Sequence, residues 1–158
     1  MFESLLFATI SSDFDSFLRL FFAVLCGSIL GWNRERHDKP AGLRTNMLVA
    51  LGAALIMVIG MNYTVTLEDG GPGWLRLDMF RLIAGIIGGV GFLGAGSIIR
   101  AHGGVHGLTT AATIWVAAAT GTACGMGYYR IACMAVALAW ATLVTMGYIE
   151  RVFFGEED

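Results

Sequence analysis

Charge is scarce in this sequence. Asp, Glu, Lys and Arg supply 14% of its 158 residues, against roughly 25% in an average soluble domain. With a mean hydropathy of +0.70, a chain this small reads as a membrane protein. The net charge of −2 offers no general basic surface, which argues against nucleic acid as a partner. Its acids are unevenly placed, and none occurs between Met79 and Ile149. Two prolines and no low-complexity tract leave no room for a linker, so residues 1–158 are expected to form one transmembrane domain. Cys26, Cys124 and Cys133 lie in apolar runs with no CxxC spacing, and read as small packing residues. Period-two alternation is missing, which argues against a β-barrel. A cleavable signal peptide fits poorly, because the first residues carry acids and the apolar run 5–10 is short.

Five apolar stretches are present, at about 14–32, 45–63, 80–99, 107–126 and 129–148. Each matches the roughly 20 helical residues that cross about 30 Å of hydrocarbon. The expected fold is therefore an all-α integral membrane protein, a bundle of five transmembrane helices. Arg34, Arg36, Lys39 and Arg44 fall between the first and second stretches, and Arg100 between the third and fourth. Counting Lys and Arg alone makes those connections cytoplasmic, with the N-terminus out and the C-terminus in. Trp32, Tyr63, Trp74, Tyr128, Tyr129 and Tyr148 fit aromatic belts at the interfaces. Arg19 reads as a snorkelling side chain. Residues 2–12 are expected to form a short separate surface helix.

The third stretch contains Gly89-Val90-Gly91-Phe92-Leu93-Gly94, a G-x-G-x-x-G pattern. A dinucleotide site would need a preceding strand and an acid about 20 residues on. The flanks are apolar and the acid is missing, so a nucleotide role is rejected. Small residues four apart (Gly85 and Gly89, Ala84 and Gly88, Gly91 and Ala95) instead allow close helix approach in lipid. Gly85, Gly88, Gly89, Gly91, Gly94 and Gly96 are thus read as helix-packing residues, with the third helix at the centre of the bundle.

The polar groups gather near the connections. Thr45 reads as an N-cap of the second helix, beside Arg44 and Asn46. Arg44 opposes the helix dipole there and calls for a partner such as Glu35 or Asp38. Pro40 and Gly42 make this loop turn tightly, so it is expected to fold back on the bundle. Thr109 and Thr110 are read as caps of the fourth helix and Thr113 as bonding back to a carbonyl. His102 and His106, with no acid or thiol nearby, make a poor metal site, and none is expected. Arg81 is read as an interfacial anchor near Asp78. No hydroxyl or thiol sits in a recognisable nucleophile motif, and no carboxylate lines the last three stretches. Both covalent catalysis and a magnesium-conducting pore are therefore disfavoured.

Three motifs carry a resemblance: Gly31–Ala54 (G-x-x-R-E…K-P-A-G-L-R-T-N-M-L-V-A-L-G-A-A), Arg81–Gly96 (R-L-I-A-G-I-I-G-G-V-G-F-L-G-A-G) and Gly107–Trp115 (G-L-T-T-A-A-T-I-W). Over about residues 17–150 the chain resembles the MgtC/SapB family of bacterial inner-membrane proteins. Matching motif positions are Arg34, Gly42, Arg44, Thr45, Arg81, Gly91, Gly94, Gly96, Gly107, Thr109, Thr110 and Trp115. The resemblance implies a five-span bundle in the plasma membrane, without the soluble C-terminal domain of the best-known member. It links the chain to magnesium limitation, survival in host phagocytes (virulence) and stress adaptation. It also implies a non-enzymatic, cofactor-free regulator of other membrane proteins, such as the proton-driven ATP synthase or cation transporters. Two positions depart from the family pattern. Asn33 stands where the G-x-E-R motif has Glu, and Gly85 where Gln is common. An ion or small-anion transporter or channel is the alternative, motivated by Arg34, Arg36, Arg44 and Arg100 at one mouth. A homodimer is expected.

Overall fold

The computed structural model describes residues 2–68, 79–101 and 104–153. The acidic connection 69–78, with Trp74 and the expected Asp78–Arg81 pair, lies outside the described residues, as do His102 and the tail 154–158. Five helices follow in order: α1 (Phe2–Glu35), α2 (Leu43–Glu68), α3 (Met79–Ser97), α4 (Leu108–Gly125) and α5 (Tyr129–Phe153). Residues 2–12 continue α1 instead of forming a separate helix, since no Gly or Pro interrupts them. Among the described residues, four helices are long and apolar enough to span a bilayer: α1 over Asp13–Glu35, α2 over Leu43–Tyr63, α3, and α5 over Tyr129–Ile149. The remaining helix, α4, has 18 residues and carries five threonines.

Between α3 and α4 lies an antiparallel ribbon, β1 (Ile99–Ala101) and β2 (Gly104–His106), with Ile99 opposite His106. Strands of three residues are too short to show alternation, so the sequence reads as a plain loop there. Gly107 follows at φ 89°, a left-handed turn that aims the chain into α4.

The centre of the bundle is α4, which corrects the expectation for α3. Nine residues of α4 are buried, from Thr110 to Gly125, and it touches all four other helices. α3 buries Ile86, Val90 and Gly94, and packs mainly on α4. Backbone proximity explains the difference. A methyl group built on Gly121 strikes the Ala50 carbonyl, and one on Gly125 strikes Ala54 and Met57. On α1, one at Gly27 would lie 2.6 Å from the Asn46 carbonyl oxygen and one at Gly31 2.6 Å from Leu43 Cα. At Gly85, Gly88, Gly89, Gly91 and Gly96 of α3 the same methyl meets nothing within 4 Å. Glycine therefore draws backbones together at α1–α2 and α2–α4, while α3 sits at the margin with five of its six glycines open and Gly94, as expected of a packing residue, against Ala111 of α4.

The resulting core joins Ala23, Cys26 and Leu30 of α1 to Ala50 and Ala54 of α2 and Ala117 and Cys124 of α4. Cys26 and Cys124 are buried packing residues whose thiols meet, whereas Cys133 is exposed. Two helices end in the same way. Lys39 N–H bonds to the Arg34 carbonyl and Asp38 N–H to that of Glu35, with Asp38 at φ 48°. Tyr128 N–H bonds to Ala123 and Gly127 N–H to Cys124, with Gly127 at φ 80°. Both are Schellman closures. The second makes the expected tight hairpin into α5.

Candidate functional site

The polar residues of interest converge where the C-terminal end of α1 meets the N-terminal ends of α2 and α4. On α1, Gly27, Gly31 and Arg34 follow at i, i+4 and i+7, so Arg34 points inward with the two glycines. Arg34 is 7% exposed, Thr110 1% and Asn46 0%. The Arg34 guanidinium donates from Nη2 to the Thr110 hydroxyl across α1 and α4. Its Nε has no hydrogen-bond partner among the described residues. Asn46 donates to the Ala41 and Gly42 carbonyls at 2.7 and 2.9 Å, which ties the loop to α2, while its Oδ1 is unpartnered. A buried guanidinium held by a hydroxyl is costly, because a full charge leaves water without a counter-charge.

Glu35 does not pair with Arg44. Its carboxylate accepts the Leu43 N–H at 2.8 Å and caps α2, where the helix dipole favours an anion. A methyl group on Gly42 would overlap that carboxylate, so a larger residue there would have to push the Glu35 side chain off its cap. Thr45 is consequently not the cap; it lies inside the first turn of α2, which starts at Leu43. The expected folded-back loop is present, held by Glu35 and by Asn46. Arg44 is exposed, and the one ion pair among the described residues is Arg19–Asp15. An exposed Arg44 with no packing role leads to a direct expectation. Arg44→Ala should leave thermal stability within about 0.5 kcal/mol of wild type while impairing function in a complementation assay. A variant that fails to insert would show a structural residue instead.

At α4 the expected caps are replaced. Gly107 is the N-cap and no side chain caps the helix, since the Thr110 hydroxyl is engaged with Arg34 and Thr109 is exposed. Thr113 does bond back, to the Thr109 carbonyl at 2.8 Å. Arg100 is exposed on β1, paired across the ribbon with Val105. Asn33 is half-buried, and its carbonyl faces His37 Nδ1 at 2.7 Å. Trp115 lines an apolar cavity of about 190 Å³ between α3 and α4, with Ile83, Ile87 and Thr122. Arg81 begins α3 and so lies at the far end of the bundle. No three of His, Cys, Asp and Glu come together to hold a metal among the described residues.

Sequence reasoning missed Arg19. It pairs with Asp15 at 2.6 Å, donates to the Gly125 carbonyl at 3.0 Å and contacts the Met61 sulfur at 3.5 Å. Instead of snorkelling, it caps the C-terminal end of α4, where a cation suits the dipole. Arg19, Ala23, Cys26, Leu30 and Arg34 form one inward stripe of α1, with an arginine at each end. That three-and-four spacing was visible in the sequence.

Residues 20–152 match the MgtC family. The chain is 44% identical over 115 residues to the uncharacterized protein slr0014 of Synechocystis sp., which covers 73% of this chain and 45% of that protein. Protein SrpB of Synechococcus elongatus is 35% identical over 143 residues, covering 85% of this chain and 76% of SrpB. Protein MgtC of Salmonella typhimurium is 42% identical over 117 residues, covering 74% of this chain and 46% of MgtC. The matched region thus spans about half the length of slr0014 and of MgtC. No solved structure matches.

Proposed function

The chain belongs to the MgtC family, and from that premise we propose that it is a non-enzymatic membrane regulator acting by binding other membrane proteins. In this reading all five helices cross the bacterial plasma membrane, with the junction of Arg34 and Thr110 on the cytoplasmic side. The role is adaptation to magnesium limitation and to stress, inside a host as well as outside.

One observation carries the reading. Ala84, Gly88, Gly91 and Ala95 are all exposed on α3. At about 100° per residue they fall within an arc of roughly 60°. This face is free of bulky side chains, so another helix can approach it closely in lipid, where packing drives association. The partner helix comes from another inner-membrane protein, and a second copy of this chain can use the same face to form a dimer.

A photo-crosslinking residue placed at position 88 or 91 in native membranes tests this. A specific membrane-protein adduct is expected. Gly88→Leu combined with Gly91→Leu should keep the fold, because neither methyl meets a neighbour within 4 Å, yet reduce adduct at a third site on this face, position 95, at least tenfold. An undiminished adduct would contradict the proposal.

Small-anion transport is the second reading. It rests on the buried Arg34 with its unpartnered Nε, beside the exposed Arg36 and Arg44. Flux of a tested anion into sealed proteoliposomes above empty controls would favour it; no flux excludes it for that anion.

A further inference from the structure

The N-terminal end of α4 is unlike that of α2. Glu35 caps α2, whereas no side chain caps α4, and its N-cap Gly107 is left-handed, at φ 89° and ψ 3°. An N-cap residue ordinarily has extended backbone. A left-handed residue followed by helical ones turns successive N–H groups toward one point, a concave nest suited to anions. The N–H groups of Gly107, Leu108, Thr109 and Thr110 make no hydrogen bond among the described residues.

A buried cation meets the same turn. Arg34 donates to the Thr110 hydroxyl in the first turn of α4 and is 7% exposed. Helical side chains lean toward the N-terminus of their own helix, so that hydroxyl and the guanidinium on it lie over the nest. Nε and Nη2 share one edge of the planar guanidinium. With Nη2 on Thr110, the unpartnered Nε–H faces α4 as well. The positive end of the α4 dipole and a full positive charge are thus side by side. Glu35, the acid next in sequence, does not offset them, because its carboxylate is turned to α2. Water can satisfy the free amides but leaves the charge uncompensated.

We propose that a phosphate group, dissolved or on a lipid headgroup at the membrane surface, binds the N-terminus of α4 with Arg34 as its counter-charge. The amides and the guanidinium edge present several donors, which suit the oxygens of a tetrahedral anion better than a chloride ion. The site goes beyond the regulator reading. It shares Arg34 with the transport reading but needs no passage across the membrane, so binding without flux would sink that reading alone.

Equilibrium dialysis of the purified, delipidated full-length chain against radiolabelled inorganic phosphate tests the site. Saturable binding is expected, with acetate and chloride displacing the label at least tenfold less well than unlabelled phosphate. Thr109→Asp puts a carboxylate among the free amides at an exposed position. It should raise the melting temperature, as an acid in the first turn of a helix does, and weaken phosphate binding at least tenfold. Thr109→Asn should bind as wild type does. Arg34→Met should also weaken binding at least tenfold. Phosphatidylglycerol added to the micelles displaces the label if the headgroup reaches the site; a label indifferent to that lipid identifies the dissolved ion. No saturable binding by wild type, equal displacement by acetate, or undiminished binding by Thr109→Asp or Arg34→Met would overturn the assignment.

Discussion

Gly121→Ala is expected to destabilise the bundle by about 3 kcal/mol or more, the upper range for overpacking a tight interface. The added methyl runs into the Ala50 carbonyl of α2, and backbone cannot yield as a flexible side chain does. Gly27→Ala should act similarly, since its methyl falls 2.6 Å from the Asn46 carbonyl oxygen. Gly88→Ala provides the contrast. Its methyl enters open space, and alanine is the better helix former by roughly 0.5–1 kcal/mol. Unfolding in mixed detergent micelles should thus separate the two substitutions by several kcal/mol. Equal sensitivity at 88 and 121 would contradict the packing described here.

The second large effect is an asymmetry between Arg34 and its partner. Thr110→Val removes the hydroxyl that Arg34 Nη2 donates to and leaves that part of a buried guanidinium unpaired, which should cost about 1.5–3 kcal/mol. Arg34→Met removes the charge itself. Apolar replacement of buried charge is often neutral or stabilising, so stability should stay within about 1 kcal/mol of wild type or rise. Function should nevertheless fall at least tenfold in complementation under magnesium limitation, because a group this costly to bury contributes little to the fold. Arg34→Lys should not restore it, since a lysine lacks the planar fork that spans α1 and α4. The double variant Arg34→Met with Thr110→Val should be more stable than Thr110→Val alone, giving a coupling that a double-mutant cycle reads directly. Additive losses from the two substitutions would show that the contact carries no energy.

Much of this architecture could be read from the chain. Charge-free runs place the helices because no other arrangement satisfies backbone polar groups in lipid. Loop chemistry around Pro40 and Gly42 announces a tight turn. The motif residues Arg34 and Thr110 are indeed brought together, though they are 76 positions apart. What could not be read is which surface each glycine faces. Gly85 and Gly89 on α3, Gly27 and Gly31 on α1, and Gly121 and Gly125 on α4 all share the same spacing of four. That spacing permits close approach without naming the neighbour. The third helix drew attention by its number of glycines, yet contact falls on the pairs in α1 and α4. Threonine content held a further clue. α4 has five threonines and many alanines because it faces protein on most sides and has little need of a lipid-facing surface. Caps were misassigned for a related reason: the Glu35 carboxylate reaches α2 from eight residues upstream, a contact that exists only once the loop has closed.

Lipid exposure along α3 and α4 tests the central claim most directly. Nitroxide labels at single positions 88, 91, 117 and 118, with oxygen collision rates measured on purified protein in bilayers, distinguish the marginal helix from the central one. High accessibility at 88 and 91 with strong protection at 117 and 118 is the predicted result. Protection at 88 and 91 equal to that at 117, persisting when the protein is diluted in lipid until it is monomeric, would place α3 in the centre and contradict the account.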